Sequence, residues 1–290
     1  MNLFGAFLFF LVILLIRIFP FPLLFSFSNL IAFILYHIVG YRKKVVIQNL
    51  TASFPEMREN ELKRVMKLFY RNLADIFLEG IKAFIMFRKQ ILNRHRIINP
   101  EVLNQFQSTK QSIIVVTGHY ANWEWGSLSA SLQTKLNVIA FYKPLHNSYI
   151  DRFVRWSRSK FGTTLASIKE TAPTFEKFKD IPSIYLMASD QNVPKKFRDR
   201  AYWVQFLNRN TPFLHGAEKY SRLYNLPVIY ADIQRVKRGF YTIQLSIITT
   251  NPLELEEGKI TELYARKLES IIQQKPENWL WSHRRWKSIP

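Results

Sequence analysis

Ile113-Ile-Val-Val116 is a run of β-branched residues with no polar position, and a strand of that kind has to be covered on both faces. Burying it requires helices on either side of a sheet, and the rest of the chain supplies them. Residues 136–142 and 184–187 read as further strands, and residues 226–234 and 240–248 as an antiparallel edge pair around Lys237-Arg238-Gly239. Apolar residues at helical spacing run over residues 44–54 and 59–80, which Pro55 separates, and over residues 148–161 and 261–274. Thr211-Pro212 reads as the N-cap and first turn of another helix ending at Asn225. Strands alternating with helices predict an α/β fold, a mixed central sheet flanked by helices, and 290 residues suit one large domain.

The chemistry is concentrated just beyond the apolar run. Gly118 ends the strand, His119 comes next, and Glu124 stands five positions beyond the histidine. Ligands of open α/β sheets gather at the carboxyl ends of strands. Five residues along one helix rotate by roughly 500°, so a turn must intervene if the two side chains are to meet. Asn122 suits the N-cap of a helix opening at Trp123 and running through Leu128 and Leu132, with Glu124 in its first turn. From there the carboxylate reaches one ring nitrogen of His119, fixes the tautomer and raises the basicity of the other. Such a pair has a base and an orienter but no nucleophile of its own, which leaves that part to a substrate hydroxyl. His-x4-Glu is a loose motif, and a purely structural His and Glu is the plain alternative.

The amino terminus and the charge point to a membrane. Every residue from Leu3 to Ile16 except Gly5 is strongly apolar or alanine, and the first acidic residue is Glu56. Residues 3–19 approach the roughly 20 needed to span a bilayer, with Arg17 placed to snorkel. The prolines at 20 and 22 bend the chain into a second apolar segment suited to the interface. A cleaved signal peptide would carry a basic start and a small-residue cleavage site, and neither is visible. Residues 1–40 therefore read as an anchor and 41–290 as the catalytic domain. Arg42-Lys-Lys44 then places that domain on the cytoplasmic side. Lys and Arg number 41 against 21 Asp and Glu, a formal charge of +20, so the partner surface is anionic. A tethered nucleic-acid module fits that charge but not the clustering of tryptophans beside His119 and at the carboxyl terminus. The absence of cysteine excludes disulfides, thiol catalysis and thiolate-bound metal. No dinucleotide, P-loop, HExxH or GxSxG signature occurs.

Taken together, the apolar start, His119-Tyr-Ala-Asn-Trp-Glu124, Tyr142-Lys-Pro144, Asp190-Gln191 and Trp279-Leu-Trp-Ser-His-Arg-Arg-Trp-Lys287 resemble a known family. It is that of the membrane-bound HX4(D/E) glycerolipid and lysophospholipid acyltransferases, and within it the late acyltransferases of lipid A biosynthesis. The likeness covers most of the chain. It implies an O-acyltransferase of the bacterial inner membrane, with the glycerolipid acyltransferase-like fold and no cofactor or metal. The donor would be an acyl thioester of acyl carrier protein or coenzyme A. The acceptor would be a lipid A precursor, another glycolipid or an aminolipid. His119 would be the general base and Glu124 its orienter, with amides at the start of the Glu124 helix facing the oxyanion. Lys143, Arg158, Asp190, Gln191 and Thr211 would bind substrate, Arg158 through a phosphate. Two stretches depart from the family's lipid A enzymes: the basic residues 192–202, and Phe206-Leu-Asn208 in place of a Phe-Phe-Gly block. Both fall where acceptor choice would be read. A thioester hydrolase would use the same pair with water as acceptor.

Overall fold

The computed structural model describes residues 2–287. The β-branched run forms β2 (Ile113–Thr117), with residues 113–116 at most 4% exposed. It lies inside a seven-stranded sheet with β1 (His95–Ile97), β3 (Asn137–Tyr142), β4 (Thr164–Ser167), β5 (Ser183–Ala188), β8 (Val228–Lys237) and β9 (Phe240–Thr249). The strand order is β1-β9-β8-β2-β5-β3-β4. All neighbours are parallel except β8 and β9. A second, two-stranded sheet pairs β6 (Ala201–Phe206) with β7 (Arg209–Leu214). The mixed α/β architecture expected from the sequence is the one found.

Two local readings are corrected. The β8–β9 hairpin is not an edge pair: β8 also pairs with β2 and β9 with β1, so the edges are the short strands β1 and β4. Three and four residues carry too little periodicity to announce a strand. Thr211 and Pro212 belong to β7, and the next helix opens at Gly216. Leu207 and Asn208 both have positive φ, 51° and 62°, which makes a two-residue hairpin turn of the primed kind. A leucine resists that backbone, yet here it is buried and its amide donates to Glu269 Oε1 at 2.6 Å.

Helices cover the sheet and frame the amino-terminal segment: α1 (Asn2–Ile18), α2 (Phe21–Phe33), α3 (Lys43–Ser53), α4 (Glu59–Ala83), α5 (Arg88–Arg94) and α6 (Glu101–Ser108). After β2 come α7 (Gly126–Ala130), α8 (Ser148–Ser159), α9 (Thr171–Phe178), α10 (Gly216–Tyr224) and α11 (Lys259–Gln274). The span expected at residues 3–19 falls on the 17-residue α1. Among the described residues, Phe21–Ile38, where α2 runs on through a π-helical turn, is long and apolar enough to cross a membrane. It is 22% buried and docks on α4.

The long α4 carries two buried carboxyl groups one turn apart, and their surroundings differ. Asp75 accepts from Ser28 of α2 at 2.6 Å, forms an ion pair with Arg235 and is gripped by Arg238 at 2.6 and 2.8 Å. Glu79 Oε2 accepts from Asn122 and from the Tyr241 hydroxyl, both at 2.7 Å, while Oε1 has no protein partner. Burial pushes the Glu79 carboxyl up to about 7; the Tyr241 hydrogen bond and the charge of Arg235 offset part of that rise. Removing the charge should therefore act oppositely at the two sites. Asp75→Asn leaves the part-buried Arg235 and Arg238 without their counter-charge and should lower the melting temperature. For Glu79, an acid whose folded value lies above its ordinary 4.5, the wild type loses stability as pH rises from about 4.5 to 7. Glu79→Gln lacks that loss, so its melting temperature relative to wild type should climb over that interval and level off above it. A pH series of thermal melts in detergent checks both.

Candidate active site

The position of His119 follows from strand register. β2 and β5 pair in parallel with Thr117 opposite Ala188. The residues two positions beyond each, His119 and Asp190, therefore leave the sheet side by side. His119 Nδ1 lies 2.6 Å from Asp190 Oδ1, and the His119 amide donates to Asp190 Oδ2 at 2.9 Å. A third donor, the Trp279 indole N–H, reaches Oδ2 at 2.8 Å. The carboxylate is 2% exposed and the imidazole 16%. Burial disfavours the Asp190 charge, but His119 and these N–H groups outweigh it and hold the carboxyl down at about 2. Burial likewise disfavours the imidazolium, and here the charge and hydrogen bond of Asp190, aided by Glu124, prevail and raise the His119 value above 6.5. The network assigns the proton to Nδ1, leaving the lone pair on Nε2. That lone pair meets the side-chain amide of Gln191 at 2.9 Å.

The carboxylate hydrogen-bonded to the His119 ring is thus Asp190, whereas Glu124, the partner drawn from sequence, pairs with Arg158. A parallel register joined two residues that lie 71 positions apart, whereas the turn after His119 carries Glu124 elsewhere. Ala121 adopts a left-handed φ of 50°, and Asn122 caps the Trp123–Trp125 turn by accepting from the Trp125 amide at 3.1 Å. The expected cap is therefore present, opening a single 3-10 turn before the five-residue α7. Trp125 consequently has its amide engaged by Asn122, which removes one amide from the expected oxyanion group. Glu124 pairs with Arg158 of α8, each about one third exposed, and reaches His119 through its field without a hydrogen bond among the described residues. Trp123 stacks obliquely beside the His119 ring at 5.2 Å.

The other substrate-binding expectations separate. Asp190, Gln191 and Arg158 all border the His119 site, although Arg158 meets a carboxylate there instead of open space. Lys143 is exposed on the loop after β3. Thr211 is fully buried, donates to the Arg209 carbonyl and accepts from the Trp286 indole at 2.8 Å. The carboxyl-terminal motif does more than its sequence suggested. Trp279 forms a backbone bridge to Tyr120, Asn278 accepts from the Ala121 amide at 2.9 Å, and Arg285 lies fully buried over Phe213. Burial draws the Arg285 guanidinium down to about 10, against the opposing pull of Asp190 and Tyr264, so it remains a cation whose field favours the Asp190 carboxylate. His283, from the same motif, is held neutral by burial, with its value drawn down to about 4. Among the described residues no group of three His, Asp or Glu side chains is placed to hold a metal ion.

An imidazole tied at one nitrogen to a buried carboxylate and met at the other by an exposed glutamine amide, at the carboxyl ends of adjacent parallel strands, has the arrangement that general-base chemistry requires. Comparison with known proteins gives that class a family. The family model for the bacterial lipid A biosynthesis acyltransferases matches residues 1–288, and the chain belongs to this family of acyltransferases. It is 22% identical over 274 residues to the lipid A biosynthesis lauroyltransferase of Escherichia coli (strain K12), covering 93% of this chain and 87% of that protein. It is 20% identical over 273 residues to the palmitoleoyltransferase of the same organism, with the same coverage. The Shigella flexneri lipid A biosynthesis acyltransferase is likewise 20% identical over 273 residues.

Gly118 admits Asp190 to its place. A Cβ there would stand 2.6 Å from Leu268 Cδ1 and 3.2 Å from Asp190 Oδ2. Gly118→Ala should therefore destabilise the protein by about 1–3 kcal/mol of overpacking and weaken the His119–Asp190 contact. Adding Leu268→Ala relieves the first clash, so the double variant should recover activity relative to Gly118→Ala alone. Turnover and thermal melting of both variants and of Leu268→Ala measure that coupling.

Proposed function

We propose that this protein transfers a fatty acyl group from an acyl thioester to a hydroxyl of a lipid A precursor, at the cytoplasmic face of a bacterial membrane. The observation that carries the reading is the His119 environment. Nδ1 is committed to Asp190, and Nε2 faces an exposed amide, Gln191, where an incoming hydroxyl would sit. The names of the family and of the relatives supply the lipid A class.

In this mechanism the acceptor hydroxyl replaces Gln191 at Nε2 and gives up its proton as its oxygen attacks the thioester carbonyl carbon. The Asp190 carboxylate stabilises the imidazolium that forms. Collapse of the tetrahedral intermediate breaks the carbon–sulfur bond, and the proton on Nε2 passes to the departing sulfur, leaving an ester and a free thiol. Arg158, held by Glu124, stands where an anionic group of the acceptor would approach. Trp123 walls the site on the side of the His119 ring. The exposed residues Lys195, Lys196 and Arg200, shortly after Asp190, favour acyl carrier protein over coenzyme A, since an acidic carrier is steered by such a surface. The apolar helices followed by Arg42, Lys43 and Lys44 support the membrane placement and its sidedness.

The test is a purified reaction with acyl carrier protein thioester and lipid A precursor, read by mass spectrometry as a gain of one acyl chain. His119→Ala should lower the rate by at least about a hundredfold. Acyl release at an equal rate without acceptor would mark a hydrolase and overturn transfer. The two carboxylates should separate by signature. Because His119 must be neutral to act and its value is raised, the wild-type rate should climb with pH through a midpoint above 6.5. In Asp190→Asn the main raising influence is gone and burial remains, so that limb should move to lower pH while kcat falls by about 10³-fold or more. Glu124→Gln releases Arg158 and should instead act chiefly through the apparent binding constant of the acceptor.

A further inference from the structure

The lone pair on His119 Nε2 is the feature of the ring that can take a proton, and the chain itself covers it. Nδ1 is committed to Asp190, Trp123 lies beside the ring at 5.2 Å, and Nε2 meets the Gln191 side-chain amide at 2.9 Å. With the proton on Nδ1, that amide is the donor and the lone pair accepts. The backbone around Gln191 is pinned on both sides. The Ser189 amide donates to the Thr117 carbonyl of β2 at 3.3 Å, the Asp190 carboxylate is buried among its three donors, and Val193 is fully buried. Gln191 is by contrast exposed. Its amide can therefore leave Nε2 by rotation about side-chain bonds while His119 and Asp190 stay in register.

A base left open beside a thioester has a competing partner in water. Water would give one proton to Nε2 as its oxygen bonds to the acyl carbon. Cleavage of the carbon–sulfur bond, with return of that proton to the departing sulfur, would then yield a fatty acid and a thiol. Water and an acceptor hydroxyl must both displace the same amide. One neutral hydrogen bond lowers the uncapped fraction by about two- to tenfold. An acceptor offsets that displacement with contacts remote from its hydroxyl, such as an anionic group at Arg158, and water has none to offer. We propose that Gln191 is a specificity residue that guards the base: its amide keeps water from Nε2 and yields to an acceptor hydroxyl whose other groups are already bound. The inference rests on the reading of His119 as the base acting on an acyl thioester. It adds a reason for transfer to prevail over hydrolysis at an imidazole that is 16% exposed.

The test uses the full-length protein in detergent with an acyl carrier protein thioester. Gln191→Ala removes the amide, and Gln191→Met keeps the length of the side chain without an N–H to donate. The position is exposed, so both variants should fold. Thioester cleavage without acceptor should rise about two- to tenfold in both, while the apparent binding constant of the acceptor falls or stays level because no amide has to be displaced. A residue that only contacts the acceptor would do the opposite, raising that constant and leaving hydrolysis unchanged. A second readout does not depend on turnover. Diethylpyrocarbonate attacks the neutral imidazole at its free lone pair. Gain of one carbethoxy group on the His119 peptide, followed by mass spectrometry at a fixed pH above the His119 midpoint, should quicken by a similar factor in both variants. A rise confined to Gln191→Ala overturns the inference, since bulk and not the hydrogen bond would then be the shield. Wild-type transfer with unchanged hydrolysis and carbethoxylation in both variants removes the guard and leaves the function. Faster carbethoxylation of both variants, with no transfer to a lipid hydroxyl by the wild type, removes the function and leaves the amide cap.

Discussion

The Asp190 carboxylate is the contact on which the rest of the site depends. It takes donors from the His119 backbone, the His119 ring and the Trp279 indole, and so fastens the ends of two strands and the carboxyl-terminal segment at one point. A buried carboxylate is tolerable only when its lone pairs are matched in this way. Each part of the arrangement has a separate physical origin. The β2–β5 register aligns the two residues, Gly118 leaves room for the carboxylate, and the cation of Arg285 adds a favourable field from behind. The hydrogen bond to Asp190 fixes the tautomer of His119, and its charge favours the imidazolium.

A second layer of polar contacts holds the loop after His119. Asn122 is fully buried, with its carbonyl oxygen on the Trp125 amide and its amide on Glu79. Glu79 also binds Tyr241 of β9, and its neighbour Asp75 binds Arg235, Arg238 and Ser28. α4 is therefore the element through which the amino-terminal helices, the β8–β9 hairpin and the loop after His119 are all referenced to one another. Lys82 and Lys160 extend the pattern, each donating to three carbonyls at the end of a helix, Lys82 at the end of α1 and Lys160 at the end of α4. Apolar helices that pack on a domain through buried ions and capped carbonyls behave as part of the domain, so the amino-terminal helices and the site belong to one packed arrangement.

Chemically, the site suits a reaction in which both partners arrive from outside. His119 carries a carboxylate at Nδ1 and a glutamine amide at Nε2, with Arg158 held by Glu124, and among the described residues no protein hydroxyl or thiol is hydrogen-bonded to Nε2. That division agrees with membership in a family of acyltransferases.

Much of this was legible in the sequence because it depends on local periodicity. The β-branched run, the capping Asn122, the amphipathic α4 and the antiparallel hairpin after Asn225 all announce themselves within a window of ten to twenty residues. The positions of His119, Asp190 and Gln191 at strand ends were equally readable. Their partnership was not, because it rests on which strand lies beside β2, and the sequence carries no local mark of the order β8-β2-β5-β3. The same holds for Glu124, whose spacing from His119 suggested a pair while the left-handed backbone at Ala121 turned it toward Arg158. Thr211 had the composition of a helix cap and became a strand residue because Leu207-Asn208 folds the chain back on itself. Residue type and short-range spacing, set by the backbone periods of 3.6 and 2, determined the class of fold and the place of His119 at a strand end. Long-range register and the burial of charge, which exist only once distant segments pack, decided which carboxylate His119 meets and which faces of the apolar helices are buried.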